Sequence, residues 1–133
     1  MQSADQPVLR DLVLVGGGHS HVGVLRTFAM KPEPGVRITV ICTDIDTPYS
    51  GMLPGYIAGH YSFDEVHIDL GRLCAFAGAR LYHSAVVGID RQNQRVICNN
   101  RPSVAYDLLS INSGSTPQVQ QVEGAQALVV PVK

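Results

Sequence analysis

A chain of 133 residues, 45% apolar and only 16% charged, can bury one domain core and describes a compact globule rather than a disordered polymer. Its longest apolar runs fall well short of the roughly 20 residues that a bilayer crossing needs, which excludes a membrane span. A formal net charge of -1, with no clustered Lys or Arg, leaves no electrostatic footprint for nucleic acid.

The chain reads as a single domain over 1–133, with about 1–8 and 119–133 peripheral. The polar start MQSADQPVLR lacks the apolar stretch of an export signal and reads as a short lead-in. Cys42, Cys74 and Cys98 are odd in number and lack C-x-x-C spacing, so reduced thiols in a cytoplasmic protein are expected.

Leu9–Val15 (LRDLVLV) is a branched apolar run ending at glycines, the pattern of a strand buried on both faces of a parallel sheet. From His19 to Met30, Val22, Leu25 and Ala29 recur at helical spacing until KPEPG stops the pattern. Val36–Ile41 (VRITVI) is a second branched run, and the three together predict a β-α-β unit with parallel strands and a right-handed crossover. The Pro- and Gly-rich stretch CTDIDTPYSGMLPGYIAGHYS predicts a loop, with one short helical turn around Met52–Ala58.

Asp69 is placed to cap a helix over Leu70–Ala77 and Gly78 to stop it. A strand at ARLYH follows. Val86–Asp90 and Arg95–Cys98, joined by RQNQ, predict a hairpin, and Tyr106–Asn112 (YDLLSIN) a further strand. ALVVPV near the C-terminus is a weak strand candidate. No internal repeat is visible.

The chemistry concentrates at LVGGGHSHVGVL. A strand running into Gly16, Gly17 and Gly18 and out into a helix can seat a dinucleotide pyrophosphate on a helix N-terminus. Gly16 allows the bend, Gly18 allows close approach of the backbone to phosphate oxygens, and His19 and Ser20 are candidate donors. The fingerprint's third small residue is replaced by His21, so a plain glycine turn stays as the alternative.

A metal site built on His19 and His21 is disfavoured: residues two apart at a helix start point in different directions, and no other ligand is paired in spacing. His21 instead suits a ring packed between helix and sheet, its nitrogens met by backbone. An acid at the end of the second strand usually holds the adenosine ribose; here CTD offers either Asp44 or the backbone of Cys42 and Thr43. Asp44 fits an Asx turn equally well.

With LVLVGGGHSH, TPYSGMLPGYIAG, AVVGID and YDLLSINSGSTP in this order, about residues 9–118 resemble the N-terminal part of the FAD-dependent pyridine nucleotide-disulfide oxidoreductase superfamily. The similarity is greatest to members akin to type II NADH dehydrogenases and sulfide:quinone reductases, in the GGGHxH subgroup that sometimes precedes a selenide, water dikinase in fusion chains.

The resemblance implies an α/β, Rossmann-like three-layer FAD/NAD(P)-binding fold, with a central parallel sheet and an added β-hairpin or meander, incomplete in this chain. It puts the pyrophosphate turn on Gly16–His21, the ribose-binding strand end on Cys42–Asp44, and a flavin-facing loop on Pro48–Pro54 with Ser50, Gly51, Met52 and Leu53. Backbone groups at Val86 resemble those that pair with the adenine edge, and Ser113 and Gly114 resemble the closing turn near the cofactor. Asn112 and Ser113 replace the usual small residues. Gly51 stands where related disulfide reductases have a redox cysteine, which argues against thiol chemistry in this loop.

The resemblance further implies FAD as cofactor and partner, with the NAD(P)H site of the parent protein outside this chain and no turnover by the fragment alone. No catalytic residue is nominated. Non-catalytic binding of an adenine dinucleotide, or self-association through exposed sheet edges as a homodimer, remain alternatives.

Overall fold

The computed structural model describes residues 7–115 and 118–130. In chain order the elements are β1 (Arg10–Val15), α1 (His19–Met30), β2 (Val36–Cys42), β3 (Asp46–Pro48), α2 (Leu53–Ile57), α3 (Phe63–Val66), β4 (His67–Asp69), α4 (Leu70–Ala77), β5 (Arg80–His83), β6 (Val86–Asp90), β7 (Arg95–Cys98), β8 (Val104–Ala105), β9 (Leu108–Ile111) and, after a 3-10 turn, α5 (Ala125–Leu128). The chain divides into two compact units. One takes the residues up to Thr47 together with Asp69–Ser113, the other Pro48–Ile68 together with the residues from Gly114 on.

In the first unit, four parallel strands lie in the order β5-β2-β1-β9. β1 is central, and its LVLV run alternates between two cores. Leu12 and Leu14 join Leu25 of α1 and Leu70 and Cys74 of α4 on one face, while Val13 packs with Ile41, Val96, Cys98 and Val104 on the other. A strand with helices on one side and another sheet on the other has no solvent face there, which is why the LVLV run is apolar at every position. The covering sheet is the antiparallel meander β6-β7-β8. Helices, parallel sheet and meander make three layers, the α/β architecture expected, with the added element a meander.

Local chemistry sets the boundaries. The Asp69 carboxylate accepts from the Arg72 N–H at 2.9 Å and opens α4. Gly78, in the left-handed region at φ +65°, closes it with its N–H directed to the Ala75 and Cys74 carbonyls. The β6–β7 turn is fixed by Asp90, which accepts from the Gln92 and Asn93 backbone and the Asn93 side chain.

The second unit holds α2 and α3, short helices carrying a ring cluster. Phe63 and His67 stack at 3.8 Å, and Tyr56 meets both edge-on. Ser62 and Glu65 form a reciprocal capping box that starts α3. One expectation is overturned at the C-terminal end: ALVVPV is not a strand where it is described. Ala127 and Leu128 close α5, whose N–H groups at Ala127 and Leu128 reach Gly124, itself at φ +80°. The Gly124 and Ala125 carbonyls take the N–H groups of Ala127, Leu128 and Val129, which a strand would have offered to a neighbour. Residues 131–133 lie outside the described residues.

Candidate functional site

β1 ends at Val15 and α1 begins at His19, so the chain reverses within Gly16, Gly17 and Gly18. Each glycine answers to a neighbour. Gly16 sits at φ +93°, and a Cβ there would strike the Asn112 carbonyl. A Cβ on Gly17 would meet the Leu70 side chain and the Thr47 hydroxyl, and one on Gly18 would meet the Asn112 carboxamide. The first turn of α4, Thr47 and the end of β9 therefore pack directly on the turn.

Every glycine carbonyl in the turn has a donor. His21 Nδ1 lies 2.7 Å from the Gly16 oxygen, the Thr47 hydroxyl donates to the Gly17 oxygen at 2.7 Å, and the Gly18 oxygen accepts the His21 and Val22 backbone N–H groups. A carbonyl can only accept, so Nδ1 carries a proton, while Nε2 meets the Ser110 hydroxyl at 2.9 Å. The expectation of a packed imidazole holds: His21 is 1% exposed. One nitrogen is met by backbone as expected, the other by a side chain.

The electrostatics favour an anion. Gly18 caps α1 without a side chain, and no acidic residue lies in the first helical turn, so the partial positive charge of the helix start is not neutralised from within. With all three carbonyls tied back, N–H groups are what the turn presents. Gly16 N–H is used by Ile41 and Gly18 N–H by Asn112. Among the described residues, no acceptor within the chain takes the Gly17 N–H. The free Gly17 N–H and the start of α1 are thus what the turn offers an anion, and they fit a pyrophosphate oxygen.

The two ribose alternatives lie at the end of β2. The Cys42 carbonyl accepts from Ser84 N–H at 2.9 Å, and the Thr43 carbonyl faces His83 Nε2. The Cys42 side chain is buried in the core beneath the helices, where burial, then the Asp44 charge, push its thiol up. Asp44 is exposed, and one carboxylate oxygen accepts the Thr43 hydroxyl at 3.0 Å. Asp44 thus presents an exposed carboxylate at this strand end, while each backbone carbonyl already has one donor.

His19 and Ser20 are exposed at the start of α1, Val86 is half-buried against the meander-side core, and Ser113 is exposed after β9. Ser50, Gly51, Met52, Leu53 and Gly114 belong to the second unit. There Met52 N–H bonds the Tyr49 carbonyl, the Tyr49 ring lies against Gly51, and Leu53 is buried.

Two contributors escaped the sequence reading: Thr47, inside a stretch read as loop, and Ser110. Ser110 left a signal, because a hydroxyl in LLSI, at a strand position facing helices, demands a buried polar partner.

No family model and no curated protein matches the chain. Solved structures match its fold. NDH2 from Plasmodium falciparum in complex with NADH superposes with a TM-score of 0.74 at 15% identity, covering 92% of this chain and 26% of that one. A NAD-dependent persulfide reductase from A. fulgidus gives 0.73 at 22% identity over 89% of this chain and 24% of that one. The sulfide:quinone oxidoreductase from the hyperthermophilic bacterium Aquifex aeolicus gives 0.71 at 20% identity over 89% and 27%. The shared element is a Rossmann-like fold, and the chain spans about a quarter of the length of these structures.

Proposed function

We propose that this chain binds the adenosine and pyrophosphate half of FAD, and that it is the N-terminal FAD-binding part of a flavin-dependent NAD(P)H oxidoreductase akin to type II NADH dehydrogenases. The carrying observation is that the Gly16, Gly17 and Gly18 carbonyls are all engaged by the chain's own donors at a helix start with no acid and no side-chain cap. The Gly18 carbonyl takes the ordinary first bond of α1, but the Gly16 and Gly17 carbonyls are met by side chains, His21 and Thr47, which a plain glycine turn does not require. The likeness to NADH-bound and NAD-dependent proteins supports the fold on which the reading rests.

In this scheme the turn's N–H groups and the start of α1 hold the pyrophosphate, and Asp44 accepts from the ribose hydroxyls. Val86 backbone borders the adenine. The resemblance also assigns to the cofactor Ser113 of the first unit and, taken separately, Ser50–Leu53 and Gly114 of the second. When bound, the flavin supplies the redox chemistry, and the protein supplies position and electrostatics. The NAD(P)H site and the electron acceptor belong to the parent protein, so this chain alone is assigned binding without turnover.

The three free, buried cysteines suit a reducing, cytoplasmic setting. Among the described residues, no helix is long and apolar enough to cross a membrane.

Calorimetric titration of the chain with ADP, FAD and NAD tests the proposal. ADP and FAD binding that is lost in Gly17→Val is expected. A folded chain that ignores both ligands sinks it.

A further inference from the structure

The place where the dinucleotide fingerprint has its third small residue, for close packing of helix on strand, is taken here by a side chain that is 1% exposed. That ring has been given a structural task. Ser110 pairs in register with Leu14, whose side chain faces the helices. The hydroxyl therefore projects from β9 toward α1 and meets His21 Nε2 at 2.9 Å, while Nδ1 meets the Gly16 carbonyl at 2.7 Å.

The Gly16 carbonyl and the Gly17 N–H belong to one planar trans peptide unit and point in opposite directions. A group that grips the oxygen therefore aims the hydrogen. Among the described residues, the Gly17 N–H has no acceptor within the chain. We infer that His21 is the positioning residue of the turn: held by the Ser110 hydroxyl, it grips the Gly16 carbonyl and so directs the Gly17 N–H at a phosphate oxygen of the dinucleotide. This rests on the dinucleotide reading above. It makes a residue at the far edge of the sheet, 89 positions along the chain, a determinant of affinity at the turn.

The test pairs a spectroscopic readout with ADP titration. Long-range 1H–15N spectra of the 15N-His-labelled chain are expected to show a proton on His21 Nδ1. Ser110→Ala is expected to weaken ADP binding about three- to tenfold, the scale of one net hydrogen bond. His21→Asn, whose amide can replace the Nδ1 donor, should stay within about threefold of the unaltered chain, whereas His21→Leu, which only fills space, should lose about tenfold or more.

A ring without a proton on Nδ1, or wild-type ADP affinity in Ser110→Ala or His21→Leu, would overturn the inference. If the unaltered chain binds no ADP, the dinucleotide reading fails, and the ring spectrum still decides whether His21 holds the Gly16 carbonyl.

Discussion

The Thr47 hydroxyl donates a 2.7 Å hydrogen bond to the carbonyl of Gly17, 30 residues away in the chain. Thr47→Val keeps the shape of the side chain and removes the donor, leaving a half-buried carbonyl unmet in the turn. A cost of about 1 kcal/mol in stability is expected. ADP affinity should fall by about two- to tenfold, because a bare carbonyl beside a phosphate repels it. Urea denaturation and calorimetry read the two effects; a variant that loses stability but keeps full affinity would show that the bond only braces the fold.

The three glycines should not be equally replaceable. Gly16→Ala meets backbone at Asn112 and forces a side chain into φ +93°, so a loss of about 2–3 kcal/mol is expected. Gly18→Ala meets only the Asn112 carboxamide, which can rotate, so a loss of about 1 kcal/mol is expected. In an Asn112→Gly background the Gly18→Ala penalty should largely vanish, a non-additivity that a double-mutant cycle measures. ADP binding should recover with stability in the double variant, because a Cβ on Gly18 faces the Asn112 carboxamide; binding that stays weak would mean that Gly18 also meets the phosphate.

Most of the architecture was legible because single residues decide it. LVLV has no polar position, so it had to be covered on both faces, and Asp69 and Gly78 delimit α4 by capping chemistry that depends on little else. The glycine turn was legible as a turn, but not what fixes it. Thr47 and Ser110 act across 30 and 89 residues, and neither distance leaves a local periodicity. β3, β4 and β8 are two or three residues long, too short for alternation to show. ALVVPV misled because branched apolar residues report β-propensity, whereas α5 is set by Gly124 at its start and by the carbonyls it offers.

Asp44 carries a prediction that separates ribose binding from folding. Its exposed carboxylate is steadied by the Thr43 hydroxyl at 3.0 Å, the posture of an acceptor for vicinal hydroxyls. Asp44→Ala is expected to weaken ADP binding by about tenfold, the scale of charge-assisted hydrogen bonds. It should leave the weaker binding of 2′,3′-dideoxy-ADP unchanged. Equal losses for both nucleotides would assign Asp44 a structural role in the loop.

The buried thiols give the fold an alkaline limit. Burial, and then the neighbouring Cys42, push the Cys74 thiol from 9.0 to about 11. The unfolded chain therefore ionises at this position first. A group whose folded pKa is raised contributes stability in full below the unfolded value, and that contribution is lost as pH climbs through the folded one. Between about pH 9 and pH 11 the loss approaches about 2–3 kcal/mol from Cys74, since each unit of separation is worth about 1.4 kcal/mol. Cys42, shifted in the same direction, adds to it. Urea midpoints at pH 8 and pH 10.5 check this against Cys74→Ala, which is less stable at pH 8 for want of the core sulfur. Tyrosine and lysine titration is common to both chains, so the difference between them isolates the thiol. The variant should lose less on going to pH 10.5 than the unaltered chain does; identical losses would mean that Cys74 ionises as freely in the fold as out of it.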